Sequence, residues 1–408
     1  MRIFFRRIHL YLGLLTGLVL TVTCGTGAIL VFEEELQHLF HHERYFATTD
    51  GVALSVDELV KEVRSAKPGI KVTGVKMYAD PERTAEVMFS PKEEKGEGKK
   101  SGAGKQARIG DVQKPSAASA ADPKKDKKPP KREGGARAFV NPYTGDVVEW
   151  YNYRETGFYT VFALHRWLLS EDWGKMVVGV STLIFLFIIA TGLVLWWPKN
   201  KAILKQRLRM KTWHGKRGNH DWHVVLGFYC AVPLFIFAFT GLAWSFEWFN
   251  NGIYRITGNS PEPPKPPKSA PVTSEPSASV DAALQRVLAV ERGSEFWQVS
   301  FPKDSSAALT VSVLPADAPF ESATTAYHFD QYSGALLKRI RFADRNAGQR
   351  ARSAFKPIHT GSIWGWPSKI IALLTCLVGT TMPLTGTLMW WWRMRKKRNT
   401  TAKAHARA

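Results

Sequence analysis

Four histidines stand at matching places in this 408-residue chain. His9 and His223 each head a long apolar segment. In both segments a glycine follows at +4 (Gly13, Gly227), a Thr-Gly pair at +17 and +18 (Thr26-Gly27, Thr240-Gly241) and a glutamate at +24 (Glu33, Glu247). His165 and His359 precede two further apolar segments. Each is followed at +27 by a glycine (Gly192, Gly386), then four and five residues later by a Trp pair. Similar turns, Asn141–Gly145 and Asp330–Gly334, lie ahead of these two histidines. One unit is therefore written twice: a histidine-headed apolar segment, a polar region, a histidine, an apolar segment. An ionisable group at the membrane is costly and by default functional. Neutral imidazole, moreover, is a common metal ligand.

Two histidines at each face, delivered by a twofold repeat, are what bis-imidazole ligation of a haem iron requires. Gly13 and Gly227 lie one turn from the inner histidines on the same helix face and clear room for a flat macrocycle. The competing account is helix capping and small-residue packing, common in membranes. His214, His220 and His223 form a small cluster and His38 with His42 an i, i+4 pair, either of which could be a surface zinc or iron site. His328 and His405 carry no pattern. Cys24, Cys230 and Cys376 all lie inside apolar segments and give no disulfide framework, haem-attachment motif or zinc spacing. Phosphate-binding loops, dinucleotide fingerprints, nucleophile elbows and His-Glu-x-x-His are absent from the sequence.

The elements that must position these histidines are four apolar runs, residues 10–32, 176–197, 224–249 and 370–392. Each is long enough to cross a hydrocarbon core of ~30 Å at ~1.5 Å per residue. The expected division is a first span over 1–32, an outer region over 33–175, a second span over 176–197 and a basic loop over 198–222. A third span over 223–249, an outer region over 250–369, a fourth span over 370–392 and a tail over 393–408 follow. Arg2, Arg6 and Arg7, the Lys/Arg-rich loop and the Arg393–Arg398 tail fall on one side, which the positive-inside bias makes cytoplasmic, with both termini. The first apolar run is too long for a signal-peptide core, and no small-x-small cleavage site follows it. The inner loops and a Lys-rich insertion account for the net charge of +21. They point to anionic lipid head groups as partners rather than nucleic acid.

In the outer regions Ser55-Val-Asp-Glu58 is a capping box opening an amphipathic helix. Alternating patterns predict strands over 72–78, 85–90, 137–140 and 146–151. Residues 91–136 hold almost no large apolar side chain and are expected to be a disordered loop inserted in the sheet. The second region opens with a Pro-rich linker over 258–277. It then repeats the pattern, with a helix over 280–291 and strands over 296–301, 308–313, 326–329 and 335–341. Two small α+β units are expected. One difficulty attends the outer histidines. If the 27 residues from each to its inner glycine were helical they would span ~40 Å, leaving the pairs far apart. Either the outer histidines dip inward or tryptophans or another cofactor bridge the gap.

The Arg-Arg-Ile-His9-Leu-Tyr-Leu-Gly13 start, the Leu164-His165-Arg-Trp-Leu run, Thr191-Gly192 with Trp196-Trp197-Pro198, and Asp221-Trp-His223 with Thr240-Gly241 resemble the PepSY-associated transmembrane proteins. The outer units resemble PepSY domains. The chain is most similar to the iron-regulated bacterial inner-membrane members, which include ferric-siderophore reductases. The resemblance covers nearly everything but the insertion. It implies a multi-pass inner-membrane protein with two b haems, ligated by His9, His223, His165 and His359. Such a protein takes electrons from an unidentified donor and passes them outward to a periplasmic ferric siderophore, releasing Fe(II). Two other readings of the same sequence are a non-enzymatic, membrane-anchored PepSY binding or regulatory module and a siderophore or iron permease.

Overall fold

The structure, a computed structural model, describes residues 1–49, 51–91, 136–262, 265–270 and 279–405. The first half runs α1 (Arg2–Leu30), α2 (Glu33–Phe40), α3 (His42–Tyr45), α4 (Val56–Ala66), β1 (Ile70–Tyr78), β2 (Ala85–Pro91), β3 (Ala136–Val140), β4 (Val147–Asn152), α5 (Gly157–Trp167) and α6 (Glu171–Trp196). Two short helices, α7 (Lys201–Arg207) and α8 (Gly215–Asp221), lead to a π-helical turn over Trp222–Leu226. The second half runs α9 (Gly227–Ser245), α10 (Glu247–Ile256), α11 (Val280–Val290), β5 (Phe296–Ser300), β6 (Leu309–Leu314), β7 (Thr325–Phe329), β8 (Leu336–Ile340), α12 (Ala347–Thr360) and α13 (Trp366–His405).

Among the described residues four helices are long and apolar enough to cross a membrane: Arg2–Leu30, Glu171–Trp196, Gly215–Ser245 and Trp366–Lys396. The chain is a membrane protein. The helices begin up to several residues before the apolar runs, because apolarity marks only the part in hydrocarbon and polar residues continue the helix beyond it. Glu171 and Asp172 in the first turn of α6 also suit the positive end of its dipole. In the bundle α1 packs on α13 and α6, and α6 on α9. Small residues allow the close approach: a Cβ on Gly17 would stand 3.1 Å from Pro383. At one end of the bundle Arg2 donates to the Trp197 carbonyl at 3.1 Å, and Arg207 caps the last carbonyls of α6. At the other end Lys369 pairs with Glu35. Exposed Trp173, Trp248, Trp364 and Trp366 lie toward that end, and Trp197, Trp213 and Trp391 toward the first, as aromatic residues do at membrane interfaces.

The strands were expected in two small units packed together or on the membrane; they go further and form one antiparallel sheet in the order β4-β3-β2-β1-β5-β6-β7-β8. The joint is β1 on β5, with Gly74 opposite Ser300 and Tyr78 opposite Phe296. Either unit alone would leave β1 or β5 as an open edge, and pairing removes both edges. Helices α4 and α11 cover one face. Leu59, Val63 and Val287 are fully buried there against Val75, Val87, Val299 and Val311. Each such side chain contributes about 1.5–3 kcal/mol. The shared core therefore outweighs the interstrand hydrogen bonds, at about 1 kcal/mol net each. The expected capping box is present, Ser55 accepting from Glu58 and Glu58 from Ser55. Across the joint the Asp281 carboxylate accepts the Val56 amide at 2.9 Å.

The expected insertion, 91–136, lies outside the described residues but for its end positions. It leaves β2 and returns in β3, which are neighbours with Ala85 opposite Val140. Of the expected Pro-rich linker, residues 263, 264 and 271–277 are likewise outside them.

Candidate cofactor-ligand histidines

Helices α5 and α12 do not cross the bundle. Tyr153, just before α5, donates to Glu33, the first residue of α2 just past the end of α1, at 3.4 Å, while the imidazole of His165 reaches the Thr23 carbonyl at 2.9 Å. The chain thus dips inward along α1 and turns back. Leu168, Leu169 and Glu171 make that turn with φ of 49, 59 and 38°; after His359 it is made by Gly361 and Gly365, with φ of 77 and 65°. Gly174 is needed where α6 starts against α5, since a Cβ there would fall 1.6 Å from the Trp167 carbonyl oxygen. The 27 residues after each outer histidine are therefore not one helix. Thr26, beside His165, is 17 residues from His9 along α1, ~25 Å of axial rise rather than ~40 Å. The difficulty posed by a single long helix does not arise.

Each histidine is held by a Thr-Gly pair of its own half of the chain. His9 Nδ1 lies 3.0 Å from Thr191 Oγ1 and 3.1 Å from the Ile188 carbonyl. His165 Nδ1 lies 3.3 Å from Thr26 Oγ1 and 2.9 Å from the Thr23 carbonyl. His359 Nδ1 is 3.0 Å from both Thr240 Oγ1 and the Phe237 carbonyl. His223 Nδ1 is 2.8 Å from Thr385 Oγ1 and also faces the Met382 carbonyl. The glycine after each threonine seats the ring. A Cβ on Gly192, Gly27, Gly241 or Gly386 would stand 3.2, 3.2, 3.1 or 3.4 Å from the Cε1 of His9, His165, His359 or His223.

These contacts assign the tautomer. A threonine hydroxyl has one hydrogen. Here it goes to the threonine's own helix: Thr26 to Val22, Thr191 to Phe187, Thr240 to Ile236 and Thr385 to Thr381, at 2.7 to 3.0 Å. Toward the imidazole the hydroxyl oxygen can only accept, as does the carbonyl beside it. Nδ1 must then carry the proton in all four histidines, and Nε2 keeps its lone pair. Ligating histidines commonly donate their other ring N–H in this way.

The histidines then meet across the two halves. His9 and His223 have ring centroids 6.2 Å apart with planes at 86°; His165 and His359 are 6.1 Å apart at 63°. Two imidazoles binding one metal from opposite sides at ~2.0–2.1 Å per bond have centroids ~6 Å apart. A cavity of 420 Å³ opens at the inner pair, lined by His9, His223, Gly13 and Gly227. Its size falls in the ~300–1,000 Å³ range of ligand pockets. Outside its own helix backbone, no atom comes within 4 Å of where a Gly13 Cβ would be, whereas a Cβ on Gly227 would stand 3.3 Å from Met382 Sδ; of the two glycines expected to clear room, Gly13 faces open space. The wall is mainly apolar, and Arg6, Arg207 and Arg393 line it as well. An apolar slot with paired imidazoles and guanidiniums suits a flat, apolar macrocycle bearing acid groups. The residues present fit a haem.

Among the described residues no three His, Cys, Asp or Glu side chains converge on a metal site. The alternative cluster around His214 and His220 does not assemble: His220 turns to Asp221 at 3.4 Å and His223 faces His9. His38 and His42 lie against Tyr45 and Phe46 instead. Buried His328 meets Thr310 at 2.9 Å within the sheet, and the three cysteines are free. Sequence reasoning noticed the Thr-Gly pairs only as marks of repetition. The pattern itself, a threonine before each of Gly27, Gly192, Gly241 and Gly386 and so one pair per histidine, was visible in the sequence. The π-helical turn that carries His223 had no such signal.

Comparison with known families matches residues 6–393 to a model described as the PepSY-associated TM region. No curated protein matches the chain.

Proposed function

Because the chain belongs to the PepSY-associated TM region family, we propose that it is a b-type haem protein of the bacterial inner membrane that reduces ferric siderophores on the periplasmic side. One observation carries this reading: four imidazoles, each with its Nδ1 proton committed to a threonine and a carbonyl, face each other in two pairs at two depths of the bundle. His9 and His223 would hold the inner haem, and His165 and His359 the outer one. When bound, two such haems supply single-electron carriers at two depths of the membrane.

The protein's own part is to fix the ligands and the direction. The Thr-Gly pairs hold each imidazole in one tautomer and one orientation. The basic ends keep both termini cytoplasmic, where, or within the membrane, a donor would deliver electrons. The two PepSY-like halves of the sheet then lie in the periplasm, beside the outer pair. One electron converts a chelated ferric ion to Fe(II), which hard oxygen ligands hold far less tightly, so iron is released for uptake.

Detergent-purified protein tests the proposal by its oxidised and dithionite-reduced spectra with a pyridine haemochrome count. About two b haems per chain are expected, and a ferric hydroxamate should bleach the reduced band. A colourless protein, after expression with ample haem, would overturn the reading in favour of a membrane-anchored binding module.

A further inference from the structure

Two half-buried guanidiniums beside the outer histidine pair lack a carboxylate. Arg166 follows His165 on α5, and its Nη2 donates to the Trp244 carbonyl at 3.3 Å. Arg352 lies two turns before His359 on α12. It stacks over the Trp244 indole, 4.8 Å from the ring centre, and its Nε donates to Asn250 Oδ1 at 2.7 Å. Trp244 in turn lies 5.4 Å from the His359 ring. The two guanidiniums meet on Trp244, one at its carbonyl and the other over its ring. Among the described residues neither forms an ion pair, although eight ion pairs are made elsewhere. Like charges held together at the rim of a membrane bundle are unfavourable unless an anion neutralises them. Each guanidinium spends one donor on the protein, leaving most of its five-donor fork, whose planar geometry suits a carboxylate.

We propose that Arg166 and Arg352 form an anion site at the outer histidine pair that binds carboxylates. These are supplied either by the acid side arms of a haem held there or by an anionic ferric chelate arriving from outside. The first source rests on the haem reading above; the site itself rests on the arginines. Trp244 places the anion within reach of the outer pair in either case, because its carbonyl orients one guanidinium and its ring carries the other.

The test compares the full-length protein with an Arg166→Gln/Arg352→Gln variant and with Arg166→Lys/Arg352→Lys, which keeps both charges. Two readouts are used: a potentiometric titration of the haem bands, and citrate binding followed by tryptophan fluorescence. If the haem supplies the carboxylates, one of two reduction midpoints falls in the Gln variant and recovers with Lys, while citrate leaves the wild-type fluorescence unchanged. If an external anion does, the wild type binds citrate and the Gln variant binds it at least about tenfold more weakly (about 1.4 kcal/mol). Unchanged midpoints together with unchanged citrate response in the Gln variant would overturn the proposal. A preparation without haem would sink the haem reading but leave the citrate titration to decide this one. Should the double Gln variant not fold, each single variant is read by the same two measurements.

Discussion

Each imidazole here is held by a neighbour that was visible in the sequence but not interpretable there. The Thr-Gly pairs could be seen as repeated marks. That Thr191 meets His9 from 182 positions away, and Thr26 meets His165 from 139, depends on which helix faces touch, which periodicity does not specify. The four histidines were legible because their spacing repeats. Thr191→Val keeps the branched shape and removes the acceptor, leaving Nδ1 of His9 with the Ile188 carbonyl alone. Haem affinity at the inner site should fall about tenfold, the low end for loss of a partner behind a ligand. The ferric low-spin resonance of that haem should also move, whereas Thr191→Ser should behave as wild type. Haem titration of the apoprotein and electron paramagnetic resonance check both.

Among the elements, the inward-dipping helices α5 and α12 depend on the turn that reverses the chain after each histidine. His165 is followed by Arg-Trp-Leu-Leu and His359 by Thr-Gly-Ser, yet both stretches make the same reversal. Left-handed leucines make it in one half and glycines in the other. A Cβ on Gly361 would stand 2.7 Å from Ala372 Cβ at a φ of 77°, so Gly361→Ala should cost about 1–3 kcal/mol, lower the melting temperature and weaken haem at the outer site first. Thermal melts followed at the haem bands separate these effects. The strands were legible to within a residue or two from alternation alone. Their union in one sheet was not, because an edge strand's sequence does not name its partner. Inside that sheet burial works to raise the Glu86 carboxyl. Arg137 at 2.5 Å, the Tyr78 hydroxyl and Lys76 outweigh it and hold Glu86 below its ordinary value of 4.5. A depressed carboxyl adds stability that is fully present above pH 4.5 and is lost as pH falls through its folded value. Melts from pH ~7 down to ~3 should therefore drop less steeply for Glu86→Gln than for the wild type.

At the scale of the whole molecule the two halves each give one histidine to each pair. The pairing of His9 with His223 and of His165 with His359 followed from orientation in the sequence; the separations of 6.2 and 6.1 Å required the fold. Residues that serve one site together should not lose it twice. His9→Ala and His223→Ala should each remove about one haem and the double variant no more, while His9→Ala with His165→Ala should remove both, as a haemochrome count would show. The β1–β5 joint gives these pairs their common origin. Asp57 and Asp281, 224 positions apart, meet at 3.5 Å beside it, and Val75 and Val299, the same distance apart in sequence, face each other in the ladder. A single half set free would bare its sheet edge and bring one imidazole to each site, and two copies turned about that joint would repair both faults. The chain is thus built like a symmetric homodimer with its protomers fused. The two halves need not match everywhere, because each occurs once: β2 and β3 are linked through residues 92–135, whereas β6 and β7 are joined by ten residues, 315–324.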